Sequence, residues 1–244
     1  MVEYGLIGRG ISHSFSAAYF NEKFKKENIE AIYIPLDLEK IDNLHGLIES
    51  HPNLKGLNVT SPYKRDVIPF LDSLSEEARL LEAVNVIKIS KCGGKTILEG
   101  YNTDCPGFGE TIELLKGNGI KALVMGTGGA ASAVSLALKK ADIQYKIVSR
   151  NPVGNQIGYN DMKEYLPTHH LLINATPIGM YPHTECCPAV DFSYISPYHI
   201  CYDLIYNPSE TVFLRKSIEK GATVVNGLKM LLNQAELSWK IWAS

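Results

Sequence analysis

The chain has 244 residues, 45% hydrophobic and 20% charged, a globular composition far from that of a disordered segment. This length supports one large domain or two small ones and buries roughly 70–75% of the unfolded surface, so no disulfide or metal staple is required. Lys and Arg number 24 against 26 Asp and Glu, and the formal charge of −2 excludes a global positive field for nucleic acid or acidic lipid.

The five cysteines, Cys92, Cys105, Cys186, Cys187 and Cys201, form no Cys-x-x-Cys pair. They read as reduced structural thiols rather than as a metal site. The opening residues lack the basic and apolar regions of a signal peptide. The longest charge-free apolar tract, 122–138, is interrupted by Gly126, Gly128 and Gly129, so it reads as strand, turn and helix rather than as a membrane span. The expectation is a soluble, cytoplasmic protein.

Short apolar runs alternate with helix-period segments, the pattern of an α/β fold. In the first hundred residues the runs predict strands at 3–7, 31–34, 56–60 and 84–89, with helices at 17–26 and 39–49. Phe20 and Phe24 lie four apart on the first helix, with Lys23, Lys25 and Lys26 available for solvent. Ser61-Pro62 predicts a helix start, with a capping hydroxyl followed by proline at the first helical position. Ser75-Glu76-Glu77 predicts another, with acids near the positive end of the dipole. A second unit begins near Gly119, with strands at 121–125, 144–149, 171–174, 200–205 and 223–225. Its helices fall at 130–140 and 211–220, and an amphipathic helix at 228–242 follows. Two α/β units joined around 102–119 fit the length better than one.

Gly126-Thr127-Gly128-Gly129-Ala130-Ala131 satisfies G-x-G-x-x-A between a predicted strand and a predicted helix. Gly126 allows the tight turn, Gly128 lets backbone approach a pyrophosphate, and Ala131 lets helix and strand pack closely. The helix N-terminus turns amides and positive dipole toward the phosphates. An NAD site places Asp or Glu at the end of the next strand; here that position reads Ser149-Arg150-Asn151. The Arg150 guanidinium suits a 2′-phosphate, with Ser149 and Asn151 as further hydrogen-bonding groups. The cofactor so read is NADP.

Polar clusters also sit where predicted strands end, the usual place for ligands in open α/β sheets. In His13-Ser14-Phe15-Ser16 two hydroxyls could face an anionic or polyhydroxylated ligand, although from this segment alone Ser16 reads as the cap of the following helix. In Asn58-Val59-Thr60-Ser61-Pro62-Tyr63-Lys64, alternation sends Asn58 and Thr60 to one face, and Lys64 follows past the strand end. Asn85 is polar within an apolar strand start and needs partners from backbone or ligand. In Gly100-Tyr101-Asn102-Thr103-Asp104, Thr103 or Asp104 can equally cap a helix. Taken singly, each of these groups has an ordinary structural explanation.

Assembled in order, the motifs resemble the shikimate dehydrogenase family, which reduces 3-dehydroshikimate to shikimate with NADPH. Besides the clusters above, the resemblance is carried by Ala83-Val84-Asn85, Asn174-Ala175-Thr176-Pro177-x-Gly179-Met180, Asp203-x-x-Tyr206 and Asn226-Gly227-Leu228-x-Met230-x-x-x-Gln234. It implies that Ser14, Ser16 and Tyr206 hold the substrate carboxylate, and that Thr60, Asn85, Asp104 and Gln234 bind ring hydroxyls beside Lys64. Lys64 and Asp104 form the implied catalytic pair. Gly126, Thr127, Gly128, Gly129, Ala130, Ser149, Arg150, Thr176, Leu204 and Gly227 are implied to line the cofactor, and no metal is implied.

The resemblance further implies a substrate-binding α/β domain at 1–103, completed by the helix 228–244, and a Rossmann-like NADP-binding domain at 104–227, with a cleft between them. The implied partner is a small-molecule substrate, without nucleic acid or membrane, in a monomer or homodimer. Four features depart from the family pattern. Gly8-Arg9-Gly10-Ile11 replaces Gly-x-Pro-Ile, Ala17 replaces a proline, and Lys229 replaces a glycine. Only 23 positions separate Asn151 from Asn174, room for one short helix at most. The rival expectations are a quinate/shikimate paralogue with broader substrate or NAD use, and a non-catalytic dinucleotide-binding sensor.

Overall fold

The computed structural model describes residues 1–11 and 15–244. The expected Ser14 site, with Ser12 and His13, therefore lies outside the described residues. The elements begin β1 (Val2–Gly8), α1 (Phe15–Lys26), β2 (Ala31–Asp37), α2 (Leu44–Ser50), β3 (Leu54–Val59), β4 (Ser73–Leu74), α3 (Glu76–Leu81), β5 (Val86–Cys92) and β6 (Lys95–Tyr101). They continue with α4 (Asp104–Thr111), β7 (Ala122–Met125), α5 (Gly129–Lys140), β8 (Tyr145–Ser149), β9 (Ile157–Gly158), α6 (Met162–Tyr165) and β10 (Leu171–Asn174). The last are β11 (Ile200–Asp203), α7 (Val212–Ile218), β12 (Thr223–Val225) and α8 (Leu228–Ala243).

Two units result, one made of Met1–Thr103 with Ala235–Ser244, the other of Asp104–Gln234. The helix expected to complete the first unit from 228 therefore divides, and its residues 228–234 belong to the second. Among the described residues no helix is long and apolar enough to cross a membrane.

The first sheet runs β2-β1-β3-β5-β6-β4. β1 pairs in parallel with β2 and β3, while β5 runs antiparallel to both β3 and β6. Reversal at β5 matters for the site, because it sets the start of β5 beside the end of β3: Val59 N–H donates to Asn85 O at 2.9 Å. One face packs Ile7, Leu57, Ile87 and Leu98 against Leu44 and Val67. The other packs Tyr4, Phe20, Phe24 and Tyr33 against Trp242. Tyr4 stacks on Trp242 with centroids 5.0 Å apart, and Phe20 on Tyr33 at 4.8 Å.

Three local expectations are corrected here. The segment after Ser61-Pro62, joined by a cis peptide bond, is a run of turns and not a helix. Its internal bonds are scattered turn bonds, such as Tyr63 N–H to Thr60 O at 3.0 Å and Val67 N–H to Tyr63 O at 3.0 Å, and the Lys64 carbonyl is taken from outside by Val84 N–H at 2.7 Å. Ser16 lies inside α1, which starts at Phe15, so it is not the cap. Its side chain lies beside that of Tyr33. The segment 39–49 is a short 3-10 turn at Ile41–Asn43 followed by α2. Ser75 does cap α3, accepting Ala78 N–H at 3.2 Å.

The second sheet is wholly parallel in the order β12-β11-β10-β7-β8-β9. Its chain order reverses between β7 and β10, the doubly wound arrangement in which ligands bind outside the carboxyl ends of the strands at the switch point. Between β8 and β10 the chain forms β9, a 3-10 turn and the four-residue α6, in keeping with the short interval.

Candidate active site

The glycine-rich turn leaves β7 at this switch point. Gly126 takes φ +119°, and a Cβ there would lie 3.0 Å from Ala175 O, so a side chain is excluded on both counts. Cβ atoms at Gly128 and Gly129 would meet nothing within 4 Å. Gly128 also contributes no capping side chain to α5. The first-turn amides and open space therefore fit a pyrophosphate. Gly126, Thr127, Gly128, Ser149, Arg150 and Thr176 line one pocket of about 520 Å³. Arg150 is exposed there, near Tyr159, whose hydroxyl pKa is raised by burial against the opposing pull of the Arg150 charge. These residues fit NADP, with Arg150 and Ser149 available to the 2′-phosphate.

A second pocket, of about 410 Å³, is lined by Ala130, Thr176, Leu204 and Tyr206 and shares Ala175 and Pro177 with the first. A buried polar network shapes it. Asp203, fully buried, accepts from Asn174 Nδ2 at 3.0 Å, Ile205 N–H at 3.0 Å and Thr211 Oγ1 at 2.6 Å. Asn174 Oδ1 in turn accepts Thr176 Oγ1 at 2.6 Å and Thr176 N–H at 3.1 Å. Burial pushes the Asp203 carboxyl pKa up, while these donors pull it down. The strand predicted at 200–205 stops at Asp203 because that side chain, not a neighbouring strand, takes the Ile205 N–H. Gly227 packs tightly against the backbone of Leu204, where a Cβ would lie 1.9 Å from Leu204 O.

In the first unit Thr60, Lys64 and Asn85 gather at one end of the sheet. Asn85 is buried; its Nδ2 donates to Thr103 Oγ1 at 3.0 Å, and its Oδ1 accepts Thr103 N–H at 2.8 Å. Asn58 Nδ2 donates to Asn85 O at 3.2 Å and to Ser238 Oγ at 3.1 Å, and Asn58 Oδ1 accepts from Tyr33 Oη at 2.8 Å. Thr103 thus turns its hydroxyl to Asn85. Lys64 and Thr60 are half-buried. In the second unit Asp104 opens α4. One turn on, Gly107 packs under Gln234 of α8, where a Cβ would lie 3.0 Å from Gln234 Cβ. Tyr206 is exposed. Sequence reasoning gave no structural role to Asp203, although a carboxylate closing the apolar run 200–203 was the available signal. It also missed Tyr159, which carries no signal.

A family model described as the shikimate dehydrogenase substrate binding domain matches residues 6–87. A shikimate dehydrogenase (NADP(+)) from Carboxydothermus hydrogenoformans is 39% identical, over 98% of this chain and 90% of its own. The chain belongs to the shikimate dehydrogenase family. Within that family, the Thermus thermophilus enzyme solved with NADP(H) and shikimate matches with a TM-score of 0.84 at 30% identity, over 99% of this chain and 93% of that one. The quinate dehydrogenase from Corynebacterium glutamicum, solved with NAD, matches with a TM-score of 0.86 at 26% identity and the same coverage.

Proposed function

We propose that the chain is an NADP-dependent shikimate dehydrogenase, reversibly reducing 3-dehydroshikimate to shikimate in aromatic amino acid biosynthesis. The observation that carries this reading is the pocket in which Gly126, Gly128 and Arg150 meet at the switch point, in a chain of this family. The cofactor exchanges a hydride with the carbon bearing the 3-oxygen. Lys64 and Asp104 manage the proton at that oxygen, the Lys64 ammonium also stabilising negative charge as it develops there. Thr60, Asn85 and Gln234 hold ring hydroxyls, and Ser14, Ser16 and Tyr206 the carboxylate. Gly129, Ala130, Leu204 and Gly227 complete the cofactor wall begun by Gly126, Thr127, Gly128, Ser149, Arg150 and Thr176. Residues 1–103 with 235–244 form the substrate-binding domain, and 104–234 the NADP-binding domain. The enzyme works in the cytoplasm on small molecules alone, as a monomer or homodimer.

A second reading, quinate oxidation with NAD, is favoured by the likeness to the Corynebacterium enzyme. Steady-state rates with shikimate and quinate, each with NADP and NAD, separate the two. The first expects the highest kcat/KM for shikimate with NADP; a preference for quinate with NAD overturns it.

A further inference from the structure

Arg9, in the loop after β1, has no part in the site described above, yet it ties three segments together. Its guanidinium carbon lies 5.8 Å from the centre of the Tyr63 ring. Its Nη2 donates to Glu39 O at 3.0 Å and reaches the Tyr63 hydroxyl at 3.5 Å. The Arg9 N–H meets Ser61 O at 3.5 Å. Tyr63 is 2% exposed and donates its own hydroxyl to Leu38 O at 2.5 Å. Gly10 adds a further tie, its N–H donating to Asp37 Oδ1 at 3.0 Å. Segments 8–10, 37–39 and 61–63 are thereby bound to one another, and Arg9 is a side chain that touches both of the others.

Lys64 follows Tyr63 directly. Its carbonyl is held by Val84 N–H at 2.7 Å, and the residue before it is clamped between Leu38 and Arg9. With planar peptides on both sides restrained, the direction in which the Lys64 side chain leaves the backbone is largely set. A planar guanidinium can lie over a ring while donating in its own plane to a carbonyl; a lysine ammonium cannot keep both contacts from that stem.

We infer that Arg9 is a positioning residue for Lys64, acting through Tyr63 and the 60–64 turn. The inference rests on the reading of Lys64 as the group at the reacting oxygen. It predicts that Arg9→Ala lowers kcat for shikimate oxidation about tenfold, since small misplacements of a reacting group cost rate steeply. The KM for NADP and the thermal midpoint stay near wild type. Arg9→Lys restores little of the loss, and it also serves as the measured variant if Arg9→Ala fails to fold. In a Lys64→Ala background, removing Arg9 lowers the residual rate no further. A wild-type kcat in Arg9→Ala overturns the inference, as does full rescue by lysine or a further tenfold loss in the Lys64→Ala background. Failure of the underlying functional reading is seen separately, as a wild-type enzyme that does not oxidise shikimate.

Discussion

The strand ends of the two units are finished in different ways. In the first, an uncharged network of Tyr33, Asn58, Asn85, Thr103 and Ser238 braces the ends of β3 and the start of β5. It leaves Thr60 and Lys64 to project as side chains. In the second, a buried carboxylate, Asp203, braces β10, β11 and the start of α7, and what is presented is mostly backbone: a glycine turn and a helix N-terminus. Side chains that do chemistry can be removed without touching the brace. A surface made of backbone fails when its brace fails, because there is little else to hold its shape.

That contrast can be broken from either side. The largest effect is expected at Lys64. Lys64→Ala should lower kcat/KM about 10³-fold, about 4 kcal/mol of transition-state stabilisation, while the NADP dissociation constant and urea midpoint stay unchanged. A parallel loss of NADP affinity would show that the first unit's crest is not purely chemical. Next comes the opposite brace: Asp203→Ala strands donors from Asn174, Ile205 and Thr211 and should cost about 3 kcal/mol in urea unfolding. A cost under about 1 kcal/mol would sink the bracing role. Asp203→Asn sharpens the point through pH. A carboxyl raised above its ordinary 3.8 adds most to stability when protonated and loses that contribution as pH rises through its folded value. The deficit of the asparagine variant should therefore narrow from acidic to neutral pH; a widening deficit would contradict the raised value. The smallest effect belongs to Arg150→Ala, expected to weaken NADP about tenfold and NAD hardly at all. Equal weakening of both would remove Arg150 from the 2′-phosphate.

The second unit was the more legible in sequence. Its central strands β7 and β10 are buried along their whole length and read as short apolar runs, and the strand–glycine turn–helix at 122–131 carries its own geometry. β6 in the first unit and α4 at the start of the second left little trace in the sequence. β6 follows Gly93-Gly94, both at positive φ, a two-residue hairpin signal lying between runs too polar to stand out alone. α4 contains Pro106, Gly107 and Gly109 and has poor helix propensity. It is held by tertiary contact, with Phe108 buried edge-on against Tyr202 at 5.2 Å. The turn that presents Lys64 reads as a helix in sequence because Ser-Pro is a sound local start. The long-range partners of the Ser61 and Lys64 carbonyls, from Arg9 and Val84, have no local trace.

Trp242 closes the aromatic cluster of the first unit, yet it is translated about 140 residues after Thr103. At about 5–20 residues per second, the ribosome emits the rest of the chain for roughly 7–26 s before residues 235–244 arrive. Through that interval Tyr4, Phe20 and Tyr33 wait without their indole partner, while the second unit is being completed. The unit whose synthesis begins first is therefore the last to receive all of its residues.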